Sequence, residues 1–358
     1  MVASTVEARA LNRRQFLMAG AAAVALSAMR STSAADAPAR TAMGLATDVW
    51  DIHKKFRRDG ASDPLAFLQQ CHSFGAAGMQ GPLGIRDEEY VAKLRKWAEE
   101  RQLYIEGSVD LSGQRFDAER FEKEVVTAKG AGAKVVRTVT IPGRRYEQFN
   151  SADEFARASA HALEALQKVE PIMAKHKVRL AVENHKDHRI GERVELMKRV
   201  SSEYIGICVD VGNSFSLCED PTDTAKAFAP WAFSVHLKDQ AVREYEDGFL
   251  FADVALGKGF LDLPAILRVL REAHPEVKFS LEVITRNPLR VPVLTAKYWA
   301  TMSGVPAADL ARTMKTVKTK ACDEIFPSIS SLSMEEQIKA ETQNIERSVV
   351  YARKQLRL

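Results

Sequence analysis

Leu180 to His188 reads LAVENHKDH: an apolar run meets a glutamate, an asparagine, a histidine, a lysine and an aspartate within one step of chain. Three later segments make the same switch, namely Gly206–Gly212 (GICVDVG), Phe233–Asp239 (FSVHLKD) and Phe279–Thr285 (FSLEVIT). Each ends in one metal-capable side chain: Glu183, Asp210, His236 or Glu282. Side chains alternate between the two faces of a strand, so the residue two positions earlier shares the face of each donor. Those residues are small: Ala181, Cys208, Ser234 and Ser280. The opposite face carries Val182, Val209, Val235 and Leu281, preceded by Leu180, Ile207, Phe233 and Phe279. An aliphatic face seeks covering helices, which turns the small face and its four donors inward.

From Thr41 onward, short β-rich runs alternate with amphipathic stretches. The predicted strands are Ala42–Thr47, Ala77–Gln80, Leu103–Val109, Lys134–Thr140, Val178–Glu183, Ile205–Asp210, Phe233–Leu237 and Lys278–Val283. Helical patterns between them include Asp63–Phe74, Glu88–Arg101, Ala118–Lys129, Ala152–His176, Gly191–Val200 and Leu263–Ala273; Pro64 and Pro264 stand at first-turn positions. Strand–helix–strand repetition implies parallel pairing through right-handed crossovers, and eight units suggest closure into an α/β (β/α)8 TIM barrel. The rival is an open doubly wound sheet, which the absence of GxGxxG after the first strand weakens. Beyond the barrel, a C-terminal extension spans residues 286–358. Within it Arg286–Trp299 reads as an ordered loop near the barrel mouth, Ala307–Lys320 as a helix, and Met334–Leu356 as a closing helix with Ile338, Ile345, Val349 and Leu356 on its apolar face.

The first 35 residues stand apart as a signal segment ahead of a barrel domain covering 41–358. Asn12–Ala35 combines Arg13 and Arg14, the run Gln15-Phe16-Leu17, an Ala-rich apolar stretch and small residues suited to cleavage. This pattern resembles a twin-arginine (Tat) export signal, whose partner is the Tat machinery and whose destination is the periplasm. The alternative is a membrane anchor, but Phe16–Met29 falls short of the roughly 20 residues a spanning helix needs, so no stable membrane insertion is expected. Removing Arg9, Arg13, Arg14, Arg30 and Glu7 takes the formal charge from +4 to +1. No basic footprint for nucleic acid remains. Cys71, Cys208, Cys218 and Cys322 have no metal-type spacing; Cys208 reads as a buried free thiol, with a Cys208–Cys218 disulfide as the alternative. A homo-oligomer is compatible with the sequence and not required by it.

Three carboxylates sharing a partly desolvated volume repel one another and raise one another's pKa, and a divalent cation resolves the conflict. Three oxygen donors with one imidazole suit Mn2+ or Mg2+ best, with Co2+, Fe2+ and Zn2+ admissible. His185 and Lys238 stand two residues beyond a donor, on the same face and nearer the mouth. Each is therefore a candidate for substrate contact, for proton transfer, or for a hydrogen bond to a ligand carboxylate. Asn184 faces away and suits a backbone role. Arg137, Arg286 and Trp50 lie near predicted strand ends.

The ordered set ENH, DVGN (Asp210–Asn213), HLKD (His236–Asp239), GKGFLDL (Gly257–Leu263) and LEV (Leu281–Val283) resembles the xylose isomerase-like TIM-barrel superfamily, within it the sugar phosphate isomerase/epimerase group. The resemblance implies metal ligation by Glu183, Asp210, His236 and Glu282, with Glu183 and Glu282 also acting as the acid/base pair. It implies a small carbohydrate substrate, contacted by His185, Asn213 and Lys238. Many epimerases of the group have histidine where this chain has Asn213, so their ketose substrates do not carry over. The implied chemistry is proton removal beside a carbonyl through a metal-stabilised enediolate, giving isomerisation or epimerisation. The alternative at the same site is a lyase, dehydratase or hydratase acting on keto-sugars, keto-glycosides or cyclitols. DNA-repair endonucleases of the superfamily need further ligands on the early strands, where only Glu106, Asp110 and His53 are available.

Overall fold

In the computed structural model, which describes residues 40–56, 63–111, 117–322, 326 and 328–358, eight parallel strands close on themselves. The segment expected to be an export signal lies outside the described residues. Strands β1 (Gly44–Ala46), β2 (Gly78–Pro82), β3 (Tyr104–Ser108), β4 (Val135–Thr138), β5 (Arg179–Glu183), β6 (Ile205–Asp210) and β7 (Ala232–Leu237) follow in order. A hairpin, β8 (Asp239–Tyr245) and β9 (Gly248–Val254), interrupts the alternation before the last barrel strand, β10 (Phe279–Leu281), which pairs with both β7 and β1. This is the expected (β/α)8 barrel, and the strand ends are where the sequence pattern puts them to within a few residues.

Local chemistry explains the helix boundaries. Asp63, Asp87, Asp117, Ser151 and Asp262 each cap a helix through a side-chain oxygen that accepts a backbone N–H of its first turn. The aliphatic strand faces, including Leu180, Val182, Ile207, Val209, Val235 and Leu281, join one apolar layer with helix residues such as Leu166, Val169, Leu196, Phe228 and Leu267. Phe233 departs from the expected parity. The β6–β7 ladder has an irregularity at Ile207/Cys208, pairing Ile207 with Ala232 and Cys208 with Ser234. The intervening Phe233 is displaced into the wall of a cavity at the N-terminal end of the barrel, beneath the guanidinium of Arg179.

Two additions cover the mouth. Residues 286–299, expected as an ordered loop, supply β11 (Leu289–Val291), which pairs antiparallel with β9, and a short helix Ala296–Trp299. The resulting three-stranded sheet sits on a second apolar cluster containing Phe215, Phe249, Phe251 and Tyr298. The closing helix, Met334–Gln355, begins with a Ser333/Glu336 capping box and buries Ile345, Val349 and Ala352. Its Glu341 accepts the backbone N–H groups of Ile52 and His53 and pairs with His53 Nδ1 at 2.5 Å, which ties the short helix Asp51–Phe56 after β1 to the closing helix. All four cysteines are free, and Cys208 is fully buried as the thiol reading expects.

The GKGFLDL turn has one clear organiser. The Asp239 carboxylate accepts the backbone N–H groups of Gln240, Gly257, Gly259 and Leu261 at 2.9, 2.9, 2.9 and 3.2 Å. Gly257 has φ +80, and a Cβ on Gly259 would lie 2.2 Å from Asp239 Oδ1, so both glycines are required. On the other side of the mouth, Asp187 and Arg193 form an ion pair at 2.6 Å with both side chains fully buried, and Arg193 also donates to the carbonyl of Glu183. Replacing Asp187 by Asn strands the Arg193 charge and should cost about 3–5 kcal/mol. Breaking the exposed Arg95–Glu99 pair should cost roughly 0.5 kcal/mol or less. Urea unfolding of the two variants checks this, and equal losses would contradict the role given to the buried pair.

Candidate metal centre

The β5–β6–β7–β10 arc delivers its four donors to one point. Ligand atoms of Glu183, Asp210, His236 and Glu282 all lie within 4.8 Å of one another, and none of the four residues is more than 4% exposed. Strand pairing sets the phase: Asp210 lies opposite His236, Glu183 opposite Cys208, and His236 opposite Ser280. Asn184 faces away from the donors and locks β5 to β6, accepting from the Asp210 N–H at 2.8 Å and donating to the Asp210 carbonyl at 2.9 Å.

Each donor keeps an atom for the centre. Asp210 uses Oδ1 for the backbone N–H groups of Gly212 and Asn213, both at 3.0 Å, leaving Oδ2 turned toward Lys238. His236 Nδ1 stands 3.6 Å from Glu183 and 3.4 Å from Glu282 and has no hydrogen-bond partner. Arg137 donates to Glu183 Oε2 from Nε at 2.7 Å and also from its terminal nitrogen. Lys238 bridges Asp210 Oδ2, at 2.7 Å, and Glu282 Oε2.

The electrostatics of the cluster are divided: burial would raise Glu282, but the Lys238 and His236 charges hold it well below the usual carboxylate range, and burial would lower His236, but Cys208, Glu282 and Glu183 raise it well above the usual imidazole range. Burial raises the Asp210 carboxyl most; Lys238 opposes this, but Glu282 and Glu183 add to it, and the group is pushed up to about 7. Burial would also raise Glu183, but the Arg137 and His236 charges hold it below the usual carboxylate range. An orphaned imidazole nitrogen, a carboxylate oxygen bridged by an ammonium, and three converging acids fit a divalent cation with oxygen-rich coordination. Any such ion would be held by Glu183, Asp210, His236 and Glu282.

The residues expected at the substrate divide. Lys238 is inward and fully buried, on two donors. Asn213 is also at the centre, with Nδ2 3.4 Å from Glu183 Oε1. His185 lies at the edge, half-buried, with Nδ1 directed at the Gly143 carbonyl at 2.9 Å. Arg286 pairs with Asp253 at 3.2 Å, and Trp50 stacks on His53 at 3.5 Å. His53 and Glu106 are not ligands of this cluster: one is held by Glu341 and the other lies below among Gln80 and Ser234.

Lys186 carried no expectation. It is buried, donates to Asn213 Oδ1, and among the described residues has no carboxylate within 4.0 Å of its ammonium. Burial and the neighbouring Lys238 charge lower it to about 8. Its position in the loop after Glu183 lies beyond the reach of strand parity, so only the fold reveals it. A cavity of about 400 Å3, lined by Pro82, Ser108, Val109, Arg137 and Val139, opens beside Arg137 at the carboxyl ends of β2–β4. The larger cavity, about 1100 Å3, lies at the opposite end, away from the converging donors.

The family model for the xylose isomerase-like TIM barrel matches residues 68–305, and the chain belongs to that family. Among relatives, the chain is 23% identical over 247 residues to the 3-oxo-isoapionate decarboxylase of Pectobacterium atrosepticum, covering 67% of this chain and 85% of that protein. In fold it is similar to an L-ribulose 3-epimerase (14% identity, 88% of this chain and 96% of the other, TM-score 0.51). It is equally similar to a sugar phosphate isomerase/epimerase from Parabacteroides distasonis (14% identity, 90% and 96%, TM-score 0.51).

Binding of one Mn2+ or Mg2+ per chain is the expected outcome of calorimetric titration. At 100 times Kd, a cation bound only by the folded chain adds about 2.7 kcal/mol of stability, seen as a raised melting temperature. Asp210→Asn should abolish the rise; a variant that kept it would remove Asp210 from the ligand set.

Proposed function

We propose that this member of the xylose isomerase-like TIM-barrel family is a divalent-metal-dependent sugar isomerase or epimerase that removes a proton beside a substrate carbonyl. The observation that carries the reading is the buried convergence of Glu183, Asp210, His236 and Glu282. A divalent cation held there by Glu183, Asp210, His236 and Glu282 would supply Lewis-acid polarisation of a substrate carbonyl, which would make the adjacent C–H proton easier to remove. Mn2+ or Mg2+ suits the donor set best.

The chain's own residues supply the rest. Glu183 and Glu282 come from β5 and β10, with β6 and β7 between them, so they flank the centre as a proton-removing and a proton-returning carboxylate. Arg137 holds Glu183 ionised, as a base must be. Lys238, within hydrogen-bond distance of Asp210 and Glu282, positions Glu282 and donates to substrate oxygen. Asn213 and Lys186 form the polar wall next to Glu183, and His185 stands at its rim. The proposal keeps the Tat-exported, periplasmic placement, supported by Arg13, Arg14 and the apolar run after them.

A second reading, a lyase on a keto-sugar or sugar acid at the same centre, is favoured by Lys186. A buried ammonium without a carboxylate partner is costly, and it suits a substrate bringing negative charge or a leaving group needing a proton. The decarboxylase named above gives this reading support from sequence.

Incubating the metal-loaded protein with ketoses and keto-glycosides in D2O separates the two. Deuterium incorporation without other mass change marks isomerisation or epimerisation, whereas loss or gain of water, or loss of CO2, marks the second reading. Glu282→Gln should lower turnover by at least about 100-fold, the lower end of what a general acid–base group contributes. Retention of turnover in that variant would remove Glu282 from the proton transfer.

A further inference from the structure

A metal-binding imidazole is oriented by the group that its second nitrogen meets, because that bond selects both tautomer and ring plane. In His236, Nδ1 faces Glu183 and Glu282, and Nε2 meets the side-chain oxygen of Gln80 across the barrel interior. An amide can present either end to a histidine. Here the nitrogen end is already engaged: Gln80 Nε2 donates to Glu106 Oε2 and to Ser234 Oγ, both at 2.9 Å. Ser234 Oγ in turn donates to Glu106 Oε2 at 2.6 Å.

The roles then follow in sequence. Glu106 Oε2 is the acceptor for two donors, so the Gln80 nitrogen must face it. The Gln80 oxygen is left for His236, and an amide oxygen only accepts. His236 Nε2 must therefore carry a hydrogen, and in the neutral ring Nδ1 presents its lone pair to the donor cluster. Gln80, Glu106, Ser234 and His236 are exposed by 2%, 3%, 0% and 0%, so water does not compete for these bonds from the mouth.

We propose that Gln80 and Glu106 are positioning residues of the metal centre: Glu106 orients the Gln80 amide, and Gln80 holds His236 as its Nε2-protonated tautomer with Nδ1 ready to ligate. The inference rests on the reading of Glu183, Asp210, His236 and Glu282 as a cation site. A carboxylate placed directly on the imidazole would add a fourth negative group next to three. The interposed amide passes on the orientation and keeps the Glu106 carboxyl, which burial pushes up to about 7, one side chain farther away.

Long-range 1H–15N NMR of the metal-free, histidine-labelled protein, recorded at a pH high enough to leave the His236 ring neutral, reads the tautomer, with His236→Gln used only to assign the signal. A protonated Nε2 and an unprotonated Nδ1 are expected; an Nδ1-protonated ring overturns the proposal. Gln80→Leu should shift His236 to a tautomer mixture and weaken Mn2+ binding roughly 10- to 100-fold by calorimetry. The double variant Gln80→Glu with Glu106→Gln restores an acceptor for Nε2 and an amide behind it, and should return affinity to within about threefold of the original chain. Gln80→Leu binding Mn2+ within about twofold of the original chain overturns the proposal while leaving the cation site intact. An original chain that binds no divalent cation overturns the cation reading itself. Should Gln80→Leu fail to fold by circular dichroism, the tautomer in the unaltered protein decides alone.

Discussion

Repulsion among three buried carboxylates is the constraint on which the rest of this structure turns. Glu183, Asp210 and Glu282 are held within contact range of one another by strands that cannot move apart without opening the barrel. In such surroundings, charge is tolerated only against charge. Arg137, Lys238 and His236 meet the demand at Glu183 and Glu282, whereas burial pushes Asp210 up to about 7. Asn213 and Lys186 line the same enclosure, Asn213 beside Glu183 and Lys186 on Asn213.

The energetic burden of the centre is spread through the scaffold. Asn184 fixes the Asp210 backbone, Asp239 gathers four amides under the turn that follows the hairpin, and the Asp187–Arg193 pair braces the loop carrying Lys186. Below the donors the interior is polar where an ordinary barrel would be packed with branched aliphatic side chains. Ser234, Ser280, Gln80 and Glu106 occupy that space, and Tyr104 closes it with its hydroxyl 2.9 Å from Ser280 Oγ. Gly44 is required there, since a Cβ would fall 2.2 Å from that hydroxyl. The interior thus acts as a support for His236 more than as an apolar core.

How much of this was legible in the sequence depended on the range of the contact. Period-two alternation in β5, β6, β7 and β10 was enough to place four donors inward, because a strand's parity is a local property. Phe233 shows the limit: one irregular pairing between β6 and β7 displaced it from the aliphatic face. The β8–β9 hairpin went unread because only Lys238 separates β7 from β8, and DQAVREY does not show an uninterrupted apolar run. Gln80 and Lys186 escaped for a different reason, and Glu106 was read only as a possible ligand. Their partners lie across the barrel or across a loop, and no spacing within one segment announces a bond between β2 and β7.

The most direct measurement of the central claim is anomalous diffraction at the manganese edge from crystals grown with Mn2+. A single peak is expected about 2.0–2.6 Å from one oxygen each of Glu183, Asp210 and Glu282 and from His236 Nδ1. A peak elsewhere, or Lys238 remaining lodged between Asp210 and Glu282 at saturating Mn2+ with no peak at the cluster, would contradict it.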